Sequence, residues 1–404
     1  MFSESLELPS WLDFGKVRVA YAQAGSDTDV PPYADKLFYS TSAAPFAGQP
    51  VGSTGTTVPN GNLKPMSVAE TEVGLELKMF DGRLGLDFAA YRKLTSDQIV
   101  NAQISNASGF TNTRINSGES ENKGLEMMIN VVPVRATDFR WDFTFNGAYN
   151  VTKVLSLLTE TEGERITVGN HVFNGFLQQI VGQEMGQIVG NGYRRDASGQ
   201  IVFGADGLPL TTSNIIFGSA LPKWVGGFTN TLNYKGVALS FLIDFKLGGK
   251  LLSGTNFNAY RHGLHKATLD GREGGPIVNG GDRGRVVGVG VNEAGEPNAV
   301  GATNEDYFSV VRARALIEPV IYNAGYWKLR QISIGYDFTK FLRESFPVKG
   351  LKLSAVANNV FMLKKWADNI DPEAFGYSSD NVIGMESPAL PTTRSIGFNL
   401  NVKF

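Results

Sequence analysis

Ser395-Ile396-Gly397-Phe398-Asn399-Leu400-Asn401-Val402-Lys403-Phe404 closes the chain, and its alternation decides the fold. Ile396, Phe398, Leu400, Val402 and Phe404 take every second position, and Ser395, Gly397, Asn399, Asn401 and Lys403 fill the others. Successive strand side chains point to opposite faces, so this stretch is a strand with one apolar and one polar face. The same period recurs upstream. Phe139, Trp141, Phe143, Phe145, Gly147, Tyr149 and Val151 alternate with Arg140, Asp142, Thr144, Asn146, Ala148, Asn150 and Thr152. Val237, Leu239, Phe241, Ile243, Phe245 and Leu247 alternate with Ala238, Ser240, Leu242, Asp244 and Lys246.

Turn chemistry separates such runs. Asp81-Gly82 stands between Glu76–Phe80 and Arg83–Phe88, and Lys235-Gly236 between Thr229–Tyr234 and Val237–Leu247. Asp-Gly is a preferred two-residue hairpin connection because both central positions need positive φ. Pro133–Thr137 is expected to separate two further strands. About ten strands follow, near 15–24, 68–80, 83–93, 120–132, 138–151, 222–234, 237–247, 325–338, 350–361 and 391–404. They run well past the roughly 5–6 residues usual in globular sheets and meet the roughly 9–11 that a tilted strand needs to cross a bilayer.

Short connections (81–82, 133–137, 235–236) alternate with long ones (25–67, 94–119, 152–221, 248–324, 362–390). Short periplasmic turns and long, irregular extracellular loops are the pattern of outer-membrane barrels. The connection 339–349 is intermediate, and Phe338–Arg343 suits one helical turn there. Aromatic residues near strand ends, Trp141 with Tyr149 and Phe398 with Phe404, suit interfacial girdles. A soluble sheet would also alternate, but with shorter strands. In lipid every backbone polar group must be paired within the protein, which leaves helices or closed barrels.

Composition agrees. The 404 residues include 47 Gly, 26 Phe and 13 Tyr, and 19% are charged, below the roughly 25% of soluble domains. A net charge of −2 gives no field for nucleic acid. With no Cys, thiolate catalysis, Cys-ligated zinc and disulfides are excluded. No run approaches the length of a membrane-spanning helix. Met1–Gly15 has neither a basic nor an apolar signal region, which an outer-membrane protein needs; the expectation is that a signal sequence lies upstream of this chain.

Candidate sites are few. His262 and His265 form an H-x-x-H with no evident third ligand and no helical frame, so a solvated loop is expected rather than a metal. Gly280-Gly281-Asp282-Arg283-Gly284-Arg285 and Gly288-Val289-Gly290 lack the Gly-Lys-Ser/Thr and following helix of a phosphate loop, so a flexible loop is expected. Asp368, Asp371, Glu373 and Asp380 share one loop, read as solvated with Ca²⁺ as the alternative. Tyr193, Phe203, Tyr260, Tyr307, Phe375 and Tyr377 are loop aromatics that could stack on a substrate, face a partner, or pack loop against loop. No Ser-His-Asp arrangement stands out and no cofactor is expected.

Several segments taken together resemble SusC/RagA-type TonB-dependent outer-membrane transporters of Bacteroidota. They are Leu12–Arg18 with Tyr21-Ala22-Gln23; Asn62-Leu63-Lys64-Pro65 with Glu70 and Glu72-Val73-Gly74; Arg83–Asp87; Asn116-Ser117-Gly118 before Asn122-Lys123-Gly124-Leu125-Glu126; Phe217–Pro222; Trp327-Lys328-Leu329-Arg330 with Ile334-Gly335-Tyr336; Asn358–Phe361; Asp371-Pro372-Glu373; and Pro391–Ser395. The alternating C-terminal strand ending at Phe404 also resembles the signal read by the barrel-assembly machinery.

The resemblance implies an all-β antiparallel transmembrane barrel, of which residues 1–404 would be about the ten distal strands of twenty-two. Plug domain, TonB box and signal peptide would lie outside this chain. It further implies import of glycans, oligosaccharides or peptides driven through TonB, in company with a SusD-type surface lipoprotein and outer-membrane lipid. A passive porin, a barrel enzyme and a soluble glycan-binding module are the rival readings. An isolated ten-strand segment would leave its first and last strands as open edges. Each unpaired backbone group in lipid costs several kcal/mol, so the segment alone is not expected to transport.

Overall fold

The computed structural model describes residues 9–404 apart from 28–29, 42–44, 117, 158–164, 270, 273–283, 344–346 and 375–382. Ten long strands form one antiparallel sheet in which each pairs with the next. They are β1 (Leu12–Ser26), β2 (Met66–Met79), β3 (Leu84–Ser96), β4 (Glu119–Arg135), β5 (Phe139–Ser156), β6 (Trp224–Tyr234), β7 (Val237–Leu247), β8 (Tyr326–Asp337), β9 (Gly350–Lys365) and β10 (Ser395–Lys403). Every expected strand is present. Several run further toward the long loops than alternation suggested, and β10 begins at Ser395 rather than 391. The order β1 to β10 is linear, so β1 and β10 each leave one side unpaired in the sheet.

The hairpin chemistry holds where glycine was decisive. Asp81 and Gly82 have φ of 54° and 68°, and Lys235 and Gly236 have 47° and 93°. Pro133 behaves differently from expectation. It lies inside β4, where the ladder to β5 slips between Val134↔Trp141 and Val131↔Phe143. Proline cannot donate to a ladder, so a bulge accommodates it and the turn moves to the residues after Arg135. The short turn after β8 contains the expected helical turn, Thr339–Phe341.

Register assigns the faces. One continuous set of partners runs Val73, Ala90, Leu125, Tyr149 and Trp224 across β2 to β6. The same face carries Phe241, Ile243 and Phe245 of β7 opposite Ile332, Leu329 and Trp327 of β8. The other face carries Gly74, Ala89, Glu126 and Ala148 on the neighbouring rung. The apolar face is open to its surroundings: Ile396 is 71% exposed and Phe398 80%. In water such a surface would be a large unfavourable patch; on a barrel it is the lipid-facing band.

Aromatic pairs bound that band. Tyr149 packs on Trp224 at 4.7 Å and Phe245 on Trp327 at 4.6 Å near the long loops. Phe139 meets Tyr234, Tyr336 meets Phe338, and Trp11 meets Phe80 near the short turns. Trp224 and Tyr234 are the two ends of β6, ten residues apart. At about 3.3 Å per residue and a tilt of about 40°, the belts stand about 25 Å apart, the height of an outer-membrane apolar band. Phe398 pairs with Ala355 in mid-ladder and belongs to the band itself, not to a rim as expected.

The long loops are not structureless, which corrects the sequence reading. Residues 165–219 build a separate four-stranded sheet from Arg165–Val172, Gly175–Ile180, Gln187–Tyr193 and Thr211–Ser219. Two short helices, α1 (Gly254–Arg261) and α2 (Asn304–Ala313), pack beside it. The principal buried apolar cluster lies mainly here: Leu177, Ile188, Leu252, Phe257, Val311, Ile317, Val320 and Met385 are all nearly inaccessible. The chain therefore has an ordinary dry core in its loops and an inverted sheet beneath them.

Candidate lumenal site

The polar face of the sheet converges on one cluster of charge near its long-loop end. It starts from an irregularity in β8. Trp327 and Leu329 share the lipid face with Ile332, Ile334 and Tyr336, although their spacing changes from even to odd across Arg330. Both ladders of β8 skip Arg330, between Leu242/Ile243 on β7 and between Asn358/Phe361 on β9. Arg330 is thus a bulge residue, and a bulge re-aims a side chain while restoring the phase of those around it.

The re-aimed guanidinium reaches both neighbouring strands and a loop. Its Nε donates to Asp244 Oδ2 of β7 at 3.0 Å, Nη1 to Asn359 Oδ1 of β9 at 2.9 Å, and Nη2 to Glu373 Oε1 at 2.6 Å. Asn359 has φ 50°, a left-handed backbone that asparagine tolerates better than most residues. Lys328, two residues before Arg330, is only 2% exposed. Its ammonium pairs with Glu373 and donates to Thr392 Oγ1 at 2.8 Å. Tyr326 adds a hydroxyl donated to Glu373 Oε1 at 2.6 Å.

Asp371 fastens the two ends of the loop. Its Oδ2 accepts from the Thr392 hydroxyl at 2.6 Å and backbone N–H at 3.1 Å, and its Oδ1 from the Glu373 N–H at 3.0 Å. Asn359 Nδ2 donates to the Thr393 carbonyl at 2.9 Å. Burial pushes the Glu373 carboxyl up, but hydrogen bonds from Arg330, Lys328 and Tyr326 outweigh it and bring it down to about 2. The acidic loop was expected to be solvated; Lys328 and Arg330 of the sheet instead hold Glu373, and Asp371 is tied to Thr392 within the loop. Asp368 is held apart, paired with Lys266 at 2.7 Å, and the Lys266 hydrogen bond lowers its carboxyl. Asp380 lies outside the described residues.

Below this knot the polar face has a hollow of about 560 Å³. Arg18, Asp87, Glu126, Asn146, Leu242 and Asp244 line it. Arg18 spans two strands, with Nε on Glu72 at 3.0 Å and Nη2 on Asp87 at 2.9 Å. Gly74 makes room for it, since a Cβ there would meet the Arg18 side chain at 2.4 Å. The site offers cations, carboxylates and amides in a shallow concave wall. That arrangement recognises a polar solute by hydrogen bonds and holds no nucleophile–base pair.

The loop aromatics sit in the cap. Phe203 is 1% exposed, and a Cβ at Gly288 or Gly290 would meet its ring at 2.2 or 2.8 Å. Gly288-Val289-Gly290 is therefore a close-packed strap over Phe203, which corrects the expected flexible loop and places Phe203 out of a substrate's reach. Tyr193 ends a cap strand, with its N–H donated to Glu318 at 2.8 Å, and burial raises its phenol. Tyr260 stacks on His265 at 4.3 Å and lies near Phe308, which Tyr307 meets edge-on. His262 caps α1 and His265 is buried, so His265 is not the solvated loop residue expected. Its Nδ1 accepts from the Ala267 N–H at 3.2 Å, and burial lowers its affinity for a proton. Among the described residues no group of three potential ligands could hold a metal. Phe375, Tyr377 and Gly280–Arg283 lie outside the described residues.

A ten-stranded antiparallel sheet with strands long enough to span lipid, an outward apolar band between two aromatic belts and a charged inner face is the wall of a transmembrane β-barrel. Residues 8–360 match the family described as TonB dependent receptor-like, beta-barrel, and the chain belongs to that family of outer-membrane proteins. It is similar to TonB-dependent receptor P39 of Formosa agariphila, 27% identical over 96% of this chain and 40% of the relative. It is similar to TonB-dependent receptor SusC of Bacteroides thetaiotaomicron, 24% identical over 81% of this chain and 32% of the relative. Its fold is similar to that of the RagAB peptide transporter, with a TM-score of 0.69 and 17% identity over 98% of this chain and 42% of that one. The chain thus spans about two fifths of P39 and a third of SusC.

Proposed function

We propose that this chain is the distal part of the barrel of a SusC/RagA-type TonB-dependent importer. The substrate class is oligosaccharide or peptide, and the remaining strands, the plug and the TonB box belong to the rest of a longer protein. One observation carries the reading: among the described residues a sheet with an outward apolar band ends in two free edges, β1 and β10, in a chain that covers 40% of its first relative. Free edges in lipid are costly, and closing a barrel with further strands removes them. The hollow lined by Arg18, Glu126, Asn146 and Asp244 is then one wall of the substrate path. Ordered loops above it form a surface suited to a SusD-type lipoprotein. The C-terminal positions Ile396, Phe398, Leu400, Val402 and Phe404 serve as the assembly signal.

Uptake of labelled oligosaccharide and peptide libraries by cells carrying the full-length receptor tests this reading. Uptake abolished by a protonophore and by loss of TonB supports it. Uptake indifferent to both would identify a passive pore instead.

A further inference from the structure

We propose that the lipid-facing surface of β3, β4 and β5 carries a binding site for a phosphorylated lipid headgroup of the outer leaflet. On β3 the outward residues run Leu84, Leu86, Phe88 and Ala90, then Arg92; on β4 they run Val131, Ile129, Met127 and Leu125, then Lys123. The first charged residues on this face therefore come where the apolar run ends, on the long-loop side. Arg92 and Lys123 are direct cross-strand partners, a placement that is destabilising for like charges unless anions offset it.

One anion is already there. Glu121 lies almost buried between them, accepting from Arg92 Nε at 2.6 Å and from Lys123 Nζ at 2.8 Å. It holds the two cations in place without hiding them: their side chains are 63% and 62% exposed. Arg92 engages the carboxylate through Nε, which leaves the two-pronged η end of its guanidinium for a second acceptor. Lys153 faces outward on β5 directly opposite Glu121. Glu119 sits on the rung beyond and accepts from Ser96, and Glu184, bridged to Lys153 on its other side, is paired with Lys223 at 2.6 Å. Among the described residues four cations thus meet three carboxylates, and the surplus is positive.

Arg and Lys with apolar stems at a membrane boundary extend their heads to the headgroup layer. A phosphate oxygen matches the free guanidinium fork, and the ammonium adds a point charge. The chemistry selected is a phosphomonoester attached to acyl chains, because the apolar run on β3 and β4 lies directly below and would hold those chains. The site is independent of what crosses the lumen, so it does not stand or fall with the substrate class proposed above.

Native mass spectrometry of the full-length receptor purified in detergent tests it, with a diphosphorylated lipid A and its dephosphorylated counterpart as probes. The wild type is expected to retain the phosphorylated probe at least tenfold better. The double variant Arg92→Gln/Lys123→Gln is expected to lose that preference, and Lys93→Gln, on the inner face of β3, to keep it. Equal retention of both probes by the wild type would overturn the proposal, and that comparison requires no variant to fold. Inorganic phosphate binding as tightly as the lipid probe would overturn the assignment to a lipid.

Discussion

Lys328, sealed in the barrel wall at 2% exposure, takes its counter-charge from Glu373, a loop residue 45 positions later in the chain. The pair joins the sheet to the segment that returns to its last strand. Asp371, Thr392, Arg330, Asp244 and Asn359 extend it into a network in which each charge has a partner. Burying a lone ammonium is prohibitive, so the loop is drawn to the wall by the lysine's need.

Removing one partner should show this directly. Glu373→Gln takes the counter-charge from the buried Lys328, and the expected loss is about 3–5 kcal/mol. The free energy of unfolding from lipid vesicles measures it. The double variant Lys328→Met/Glu373→Leu should recover more than half of that loss. Additive losses would mean the two groups act separately.

Acid should release the same contact. The Glu373 carboxyl is depressed from 4.5 to about 2 in the folded protein. A depressed carboxyl contributes stability that is fully present above its unfolded value and lost as pH falls through the folded one. The wild type should therefore lose its advantage over Glu373→Gln between about pH 4.5 and pH 2. Above pH 5 the difference between the two unfolding midpoints should be constant.

Gly124 lies beneath the ring of Tyr91, and a Cβ there would approach the ring at 2.3 Å. Gly124→Ala should destabilise the barrel by about 1–3 kcal/mol through overpacking. Adding Tyr91→Ala should cancel most of that increment in the same unfolding assay. This is the physical content of glycine in the Asn122–Glu126 segment.

The ten strands were legible because lipid-facing alternation runs through most of each, as in Phe139–Val151 and Ile396–Phe404. The bulge at Arg330 was not recognised, although its mark is present: apolar positions 327 and 329 give way to 332, 334 and 336. The motif segments Trp327–Arg330, Asn358-Asn359, Asp371–Glu373 and Pro391–Thr393 were noted one by one, but spacing could not show that they meet. The cap was missed for a different reason. Its strands are buried on both faces or pair across long separations, so they carry little period-2 signal. Helix α2 was missed as well, although its start signal is present: Thr303 accepts from the Asp306 N–H at 3.1 Å in Thr303-Asn304-Glu305-Asp306.

Expressed alone, residues 1–404 should not support uptake. Unpaired edges on β1 and β10 cost several kcal/mol for each exposed backbone group in lipid. Proton-motive-force-dependent accumulation of substrate by cells carrying these residues alone would contradict the need for further strands.

The apolar face of the sheet meets lipid, and β7 allows a direct test. The sequence has no cysteine, so single cysteines can be placed at Phe241, Leu242, Ile243 and Asp244 of β7 in the full-length receptor and labelled with a fluorophore in vesicles. Quenching by lipids with brominated chains should be strong at 241 and 243 and weak at 242 and 244, even though Leu242 is as apolar as its neighbours. Equal quenching at all four, or strong quenching at 242 with none at 243, would contradict lipid contact of this face.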